Sequence, residues 1–132
     1  MTLSLHFPIT LTYAALLGLL FVILTFNVMR WQVRAINDPR QVEAGKPERI
    51  SRVQGNFTES VPLGLILMAL LELNGVMPAF LHGLGILLVI ARVMHAVGMT
   101  RKPLISLGRI LGIQATLMMI LIASVAALTL AF

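Results

Sequence analysis

Cysteine is absent from this 132-residue chain, which excludes both a disulfide framework and a thiolate metal site. Charge is scarce as well. Asp, Glu, Lys and Arg make up 11% of the residues, too few to give a soluble domain of this size its polar shell. Acidic residues are the rarer sign, five against ten Lys and Arg, and none falls in the first long apolar run. Tyr is limited to Tyr13 and Trp to Trp31. What is abundant is apolar: 58% of the residues are hydrophobic and the mean hydropathy is +0.96. About 20 apolar residues cross a bilayer as a helix, so four spans with short loops nearly fill the chain and leave little room for a soluble domain.

Four spans are predicted, forming a single all-α, integral membrane four-helix domain over residues 1–132. The first covers about 9–34 and contains the almost unbroken run Leu11 to Phe26. It is longer than a signal peptide and lacks a small-residue cleavage site, so it reads as retained. Asn37, Asp38 and Pro39 break it, and residues 35–48 form the one polar loop. The second span covers about 49–73 and ends at a tight turn through Asn74, Gly75 and Pro78. The third covers about 78–99. Arg101, Lys102 and Pro103 form a short loop, with Pro103 suited to the first turn of a fourth span over about 104–130.

The charges orient the bundle. All ten Lys and Arg fall on the side of the first and third loops, and none on the side of the termini and the Asn74–Met77 turn. The positive-inside rule then places loops 1 and 3 in the cytoplasm and both termini opposite, as in a bacterial inner membrane. It also accounts for the net charge of +5. Basic residues that flank spans face anionic lipid headgroups, not nucleic acid.

The residues that carry chemistry are polar groups within the spans. Arg52, Asn56 and Glu59 stand at i, i+4 and i+7 on one helix face; Arg92 and His95 stand at i, i+3. Asn27, Arg30 and Arg34 close the first span, and Arg109 and Gln114 open the fourth. All lie at similar depth. A Lys, Arg or Asp at a helix centre costs about 2.5–3.5 kcal/mol even on insertion scales, so such groups are expected to turn inward and find partners. Structural readings stand beside this. Arg30, Arg34, Arg49, Arg101 and Lys102 lie near helix ends and can snorkel to headgroups. Glu59 and Arg92 can form a buried ion pair, and His95 can be held by Glu59 or a backbone carbonyl. Glu72, at the far end of the second span, is solvated or caps a helix, and the Met residues face lipid or fill the core. Several cations around one carboxylate match a zwitterionic ligand with excess negative charge, either a small peptide or a phospholipid headgroup.

The run Arg52-Val-Gln-Gly-Asn56-Phe-Thr-Glu59-Ser-Val-Pro62 resembles the second-helix signature of the MAPEG family, the membrane-associated proteins of eicosanoid and glutathione metabolism. Ala91-Arg92-Val-Met-His95 resembles the family's third-helix signature. Chain length, four spans and the polar first loop agree, and the Glu72-Leu-Asn74-Gly75 turn looks most like the small bacterial branch. The resemblance implies a homotrimer that binds glutathione between adjacent subunits on the cytoplasmic side, with a lipophilic small molecule reaching it from the membrane lipids. Carried over by position, Arg30, Arg52, Asn56, Glu59, Arg92 and His95 would bind glutathione, and Arg109 would stabilise its thiolate. The implied activity is that of a glutathione-dependent transferase or peroxidase acting on lipophilic electrophiles.

Some positions depart from the family. Met99 stands where eukaryotic members place a Tyr against glutathione. Ile110 and Ile113 stand where the prostaglandin synthase branch has Ser and Tyr, which argues against prostaglandin synthesis. Two alternatives stay open. One is a non-catalytic member that binds glutathione, another thiol or a lipid headgroup. The other is a small multidrug-type transporter, against which the lack of an acidic residue in the first span argues.

Overall fold

A computed structural model of the protein describes residues 6–100 and 106–132. Four helices, each long and apolar enough to cross a membrane, make up the bundle: α1 Pro8–Asn37, α2 Lys46–Leu73, α3 Pro78–Thr100 and α4 Leu107–Ala131. A short 3-10 turn, Pro39–Gln41, lies between α1 and α2. The fold is all-α, with no strand among the described residues.

The helix ends follow local chemistry and shift three predicted boundaries. α1 continues past Arg34 to Asn37 and stops there because Asp38 precedes a proline, which disfavours helical backbone in the residue before it. α2 starts at Lys46, earlier than 49. Pro47 sits in its first turn, where the missing N–H has no intrahelical partner to lose. The polar loop expected over 35–48 therefore contracts to the few residues between these ends. α4 starts at Leu107, where the Ser106 side chain accepts from the Arg109 N–H at 3.3 Å as an N-cap. Arg101, Lys102, Pro103 and Leu104, which the predicted third loop and helix start require, lie outside the described residues.

α2 closes on a Schellman motif. Gly75 takes φ +75, its N–H donates to Glu72 O, and the Val76 N–H donates to Leu71 O. At the same end α1 begins without a side-chain cap of its own. Glu72 supplies one from α2. Its two carboxylate oxygens accept from the N–H groups of Ile9 at 2.8 Å and Thr10 at 2.7 Å. A carboxylate at a helix N-terminus also favours the macrodipole. Of the two roles expected for Glu72, capping is the one observed.

Leu17, Met68, Leu88 and Met119, one from each helix, are wholly buried in the centre of the bundle. Outward the surface is apolar as well, with Leu11, Leu19, Phe26, Leu117 and Leu121 exposed. In lipid, apolar side chains gain little from facing one another instead of acyl chains, so helix association depends on close packing and hydrogen bonds. The α3–α4 contact illustrates this. A Cβ added to Gly112 would stand 2.7 Å from Ala91 O and 2.7 Å from His95 Cβ, closer than real contacts allow. Nearby, the Ser106 hydroxyl donates to Gly98 O at 2.6 Å. The missing side chain at Gly112 lets α4 lie directly on the turn of α3 that carries Arg92 and His95.

Candidate functional site

α2 brings Ser51, Arg52, Gly55, Asn56 and Glu59 to one stripe, one turn apart along the helix. Facing it are His95 and Met99 from α3 and Arg109 and Ile113 from α4, which the close α3–α4 packing places side by side. Together they line a polar cleft of about 430 Å³. Arg52 and Glu59 are exposed at its mouth, Asn56 and Arg109 are half-buried, and His95 is buried at its inner wall.

Arg92 lies behind that wall, outside the cleft lining. Its side chain is 1% exposed. One terminal nitrogen donates to Asn56 Oδ1 at 2.9 Å and Ser60 Oγ at 3.0 Å, and reaches Thr116 Oγ1 at 3.5 Å. The other donates to His95 Nδ1 at 2.8 Å. The Phe57 ring lies 6.0 Å from the guanidinium carbon, and the buried Nε has no partner among the described residues. Every hydrogen-bond partner of this cation is formally neutral.

Two expectations are corrected here. Arg92 does not pair with Glu59, and His95 is held neither by Glu59 nor by a backbone carbonyl. Arg92 satisfies both vacancies itself, because the i, i+3 spacing lets its guanidinium reach the imidazole of the next turn. A guanidinium can only donate, so His95 Nδ1 must accept, and the ring proton is placed on Nε2. The polar groups of the spans differ in burial. Arg92 and His95 are buried, whereas Arg52, Glu59 and Gln114 are exposed on the single chain.

Of the seven residues predicted for the site, Arg52, Asn56, Glu59, His95 and Arg109 line the cleft, and Arg92 touches two of them from behind. Arg30 is not brought to it. Its guanidinium lies 5.7 Å from the Trp31 ring at the end of α1. The sequence reading missed Ser60 and Thr116, which hold Arg92. Their signal was spacing alone: Ser60 is one turn from Asn56, and Thr116 one turn from Gly112, to whose carbonyl its hydroxyl donates at 2.8 Å. Met99 and Ile113, the positions that depart from the family pattern, both lie on the cleft wall. Among the described residues no cluster of His, Asp or Glu could hold a metal ion. What the arrangement can do chemically is bind an anion: the cations outnumber the single carboxylate, and the Arg fork matches carboxylates and phosphates.

Comparison with known proteins agrees with the geometry. A family model described as "MAPEG family" matches residues 10–129. The chain is also 33% identical over 89 residues to the inner membrane protein YecN of Escherichia coli, in sequences from two strains. That match covers 65% of this chain and 66% of the relative, just under two thirds of its length. Together with four helices of membrane length, this makes the chain a multi-pass protein of the bacterial inner membrane, in contact with lipid. With one family model running from the first span into the last, the chain belongs to the MAPEG family.

Proposed function

We propose that the cleft binds glutathione and that the protein is a glutathione-dependent transferase or peroxidase acting on lipophilic electrophiles. The observation that carries this reading is Arg92, a buried cation with only neutral partners, directly behind the wall of a cleft that Arg52 and Arg109 line. Such a site is electrostatically incomplete without an anion. Glutathione offers two carboxylates for the guanidinium groups and one ammonium for Glu59. His95, with its Nδ1 taken by Arg92, has its Nε2–H left to donate. In this reading Arg109 stands by the sulfur, where a cation lowers the thiol pKa and raises the thiolate fraction. The thiol proton leaves to solvent, and sulfur attacks the electrophilic carbon. An S–C bond forms as the leaving group departs with its electron pair. The acceptor would arrive from the bilayer, which explains why the enzyme is embedded there. The assembly is a homotrimer in this reading, and Arg30 would reach glutathione only from an adjoining subunit.

A second reading, binding without catalysis, is favoured by Met99 and Ile113. They make part of the cleft wall apolar, so the ligand loses the aromatic and hydroxyl contacts that family enzymes provide.

The test is a calorimetric titration of glutathione into the purified protein in detergent, alongside Arg52→Ala and Glu59→Ala. Saturable binding that each substitution weakens, with assembly intact, is expected. Variants that assemble and bind like the wild type would rule the cleft out. Turnover of an electrophilic aryl halide then separates the transferase from the binding protein.

A further inference from the structure

α1 leaves the apolar layer through Trp31, the one tryptophan of the chain, and three cations gather on its ring. Lys46 Nζ stands 4.1 Å from the ring centroid, the Arg34 guanidinium carbon 5.3 Å and that of Arg30 5.7 Å. All fall within the ~6 Å reach of cation–π attraction. That attraction holds each cation but does not cancel its charge, and three like charges on one ring repel. Among the described residues, no carboxylate is within ion-pair distance of any of the three; nearby Glu43 is paired with Arg49 at 2.8 Å. Beside the ring opens a cavity of about 220 Å³, walled by Trp31, Arg34 and Val42 and rimmed by Asp38 and Gln41. Of the three cations Arg34 lines this cavity with the one carboxylate, Asp38, while Lys46 and Arg30 stand against the same ring outside the lining. On α1 the exposed stripe Phe26, Met29, Val33 and Ile36 runs past Arg30 and Arg34, so the cluster sits where an exposed apolar helix surface meets the polar end of the bundle.

We infer that the Trp31 cluster is a binding site for the phosphodiester of an anionic, hydroxyl-bearing glycerophospholipid of the phosphatidylglycerol kind. The Arg34 fork and the Lys46 ammonium take the phosphate oxygens. Asp38 would repel phosphate, so it and Gln41 face the other end of the headgroup and accept from its hydroxyls. The acyl chains lie along the Phe26–Val33 stripe, as expected of a Trp at the membrane interface. The phosphate and hydroxyl contacts rest on Arg34, Lys46, Asp38 and Gln41, none of which lines the polar cleft, so the inference stands whether or not glutathione binds there.

Because Trp31 is the only tryptophan, its emission reads the site directly. The delipidated protein in a zwitterionic detergent is titrated with short-chain phosphatidylglycerol, short-chain phosphatidylcholine and inorganic phosphate. A saturable emission change with phosphatidylglycerol alone is expected. Arg34→Gln and Lys46→Gln should each raise its half-saturation point about fivefold, the effect of one interfacial cation. Asp38→Asn, at an exposed residue, should lower it, which keeps the test decisive if a cation variant fails to assemble. An equal response to phosphatidylcholine would mean mere partitioning at the ring. An equal response to inorganic phosphate would mean a free-anion site. Either result, or half-saturation points unmoved by all three substitutions, overturns the inference.

Discussion

Replacing Arg92 by Met separates the charge behind the cleft wall from its packing. Met has a flexible, polarizable chain that fills irregular space, so the substitution removes the guanidinium while leaving little void. It leaves Asn56 Oδ1 and His95 Nδ1 without their donor. Each orphaned acceptor costs about 1–3 kcal/mol when fully buried, and Asn56, half-buried beside the cleft, should lie at the low end. Against this, the substitution removes a cation that is 1% exposed and has no anionic partner, whose desolvation penalty is several kcal/mol. The opposing effects nearly cancel. Ligand-free stability should therefore change by less than about 2 kcal/mol in either direction. Glutathione binding should not survive. At a ligand concentration about 100 times its dissociation constant, the wild type gains about 2.7 kcal/mol from binding, and the variant should gain none. Thermal unfolding in detergent, with and without glutathione, reads both quantities. A ligand-free loss well beyond 2 kcal/mol would show that Arg92 is a structural strut and not an unfilled anion site. Undiminished protection by glutathione would show that the ligand ignores it.

Other outcomes can be checked with the same preparation. Glu72→Ala removes the acceptor of two α1 N–H groups and should lower stability by about 1–2 kcal/mol, the usual cost of a lost cap. Glutathione binding should not change, because Glu72 lies at the opposite end of α2 from the cleft; thermal unfolding and calorimetry would report each effect. Gly112→Ala forces a methyl group against Ala91 O and His95 Cβ and should lower stability by about 1–3 kcal/mol. In contrast to Glu72→Ala, it should also weaken glutathione binding by displacing His95, and wild-type affinity in an assembled Gly112→Ala protein would contradict that coupling.

The α2 stripe was legible because helical spacing alone decides which residues share a face: Arg52, Asn56 and Glu59 had to appear together, and they do. The four spans were legible from apolar length. The partner of Arg92 was not. Opposite charge made Glu59 the obvious candidate, but Glu59 is exposed at the mouth of the cleft, and the guanidinium is held by Asn56, Ser60, Thr116 and His95 instead. Ser and Thr in a membrane helix commonly donate to their own backbone, as Ser60 does to Asn56 O at 2.8 Å. Nothing in their spacing marks the further acceptor role they take here, which depends on how α2, α3 and α4 approach one another. Arg30 shows the same limit. Its depth agreed with the other polar groups, but depth does not specify direction around the helix or which helices form the cleft, and no α1 residue lines it. The ends of α1 and α2 moved because Asp38-Pro39 and Lys46-Pro47 act one residue at a time, below the resolution of a hydropathy pattern.

The carboxylate of Glu72 bears on how the chain is made. The first turn of α1 finds its acceptor 63 residues downstream, so the start of the first span stays open until the second has been synthesised and has crossed back to the same face. The two spans are thereby coupled into a hairpin whose closure is signalled at its open end. A biogenesis intermediate that stops before residue 72 would expose bare amide donors at the membrane boundary, and the completed hairpin would offer α3 and α4 a finished surface on which to dock.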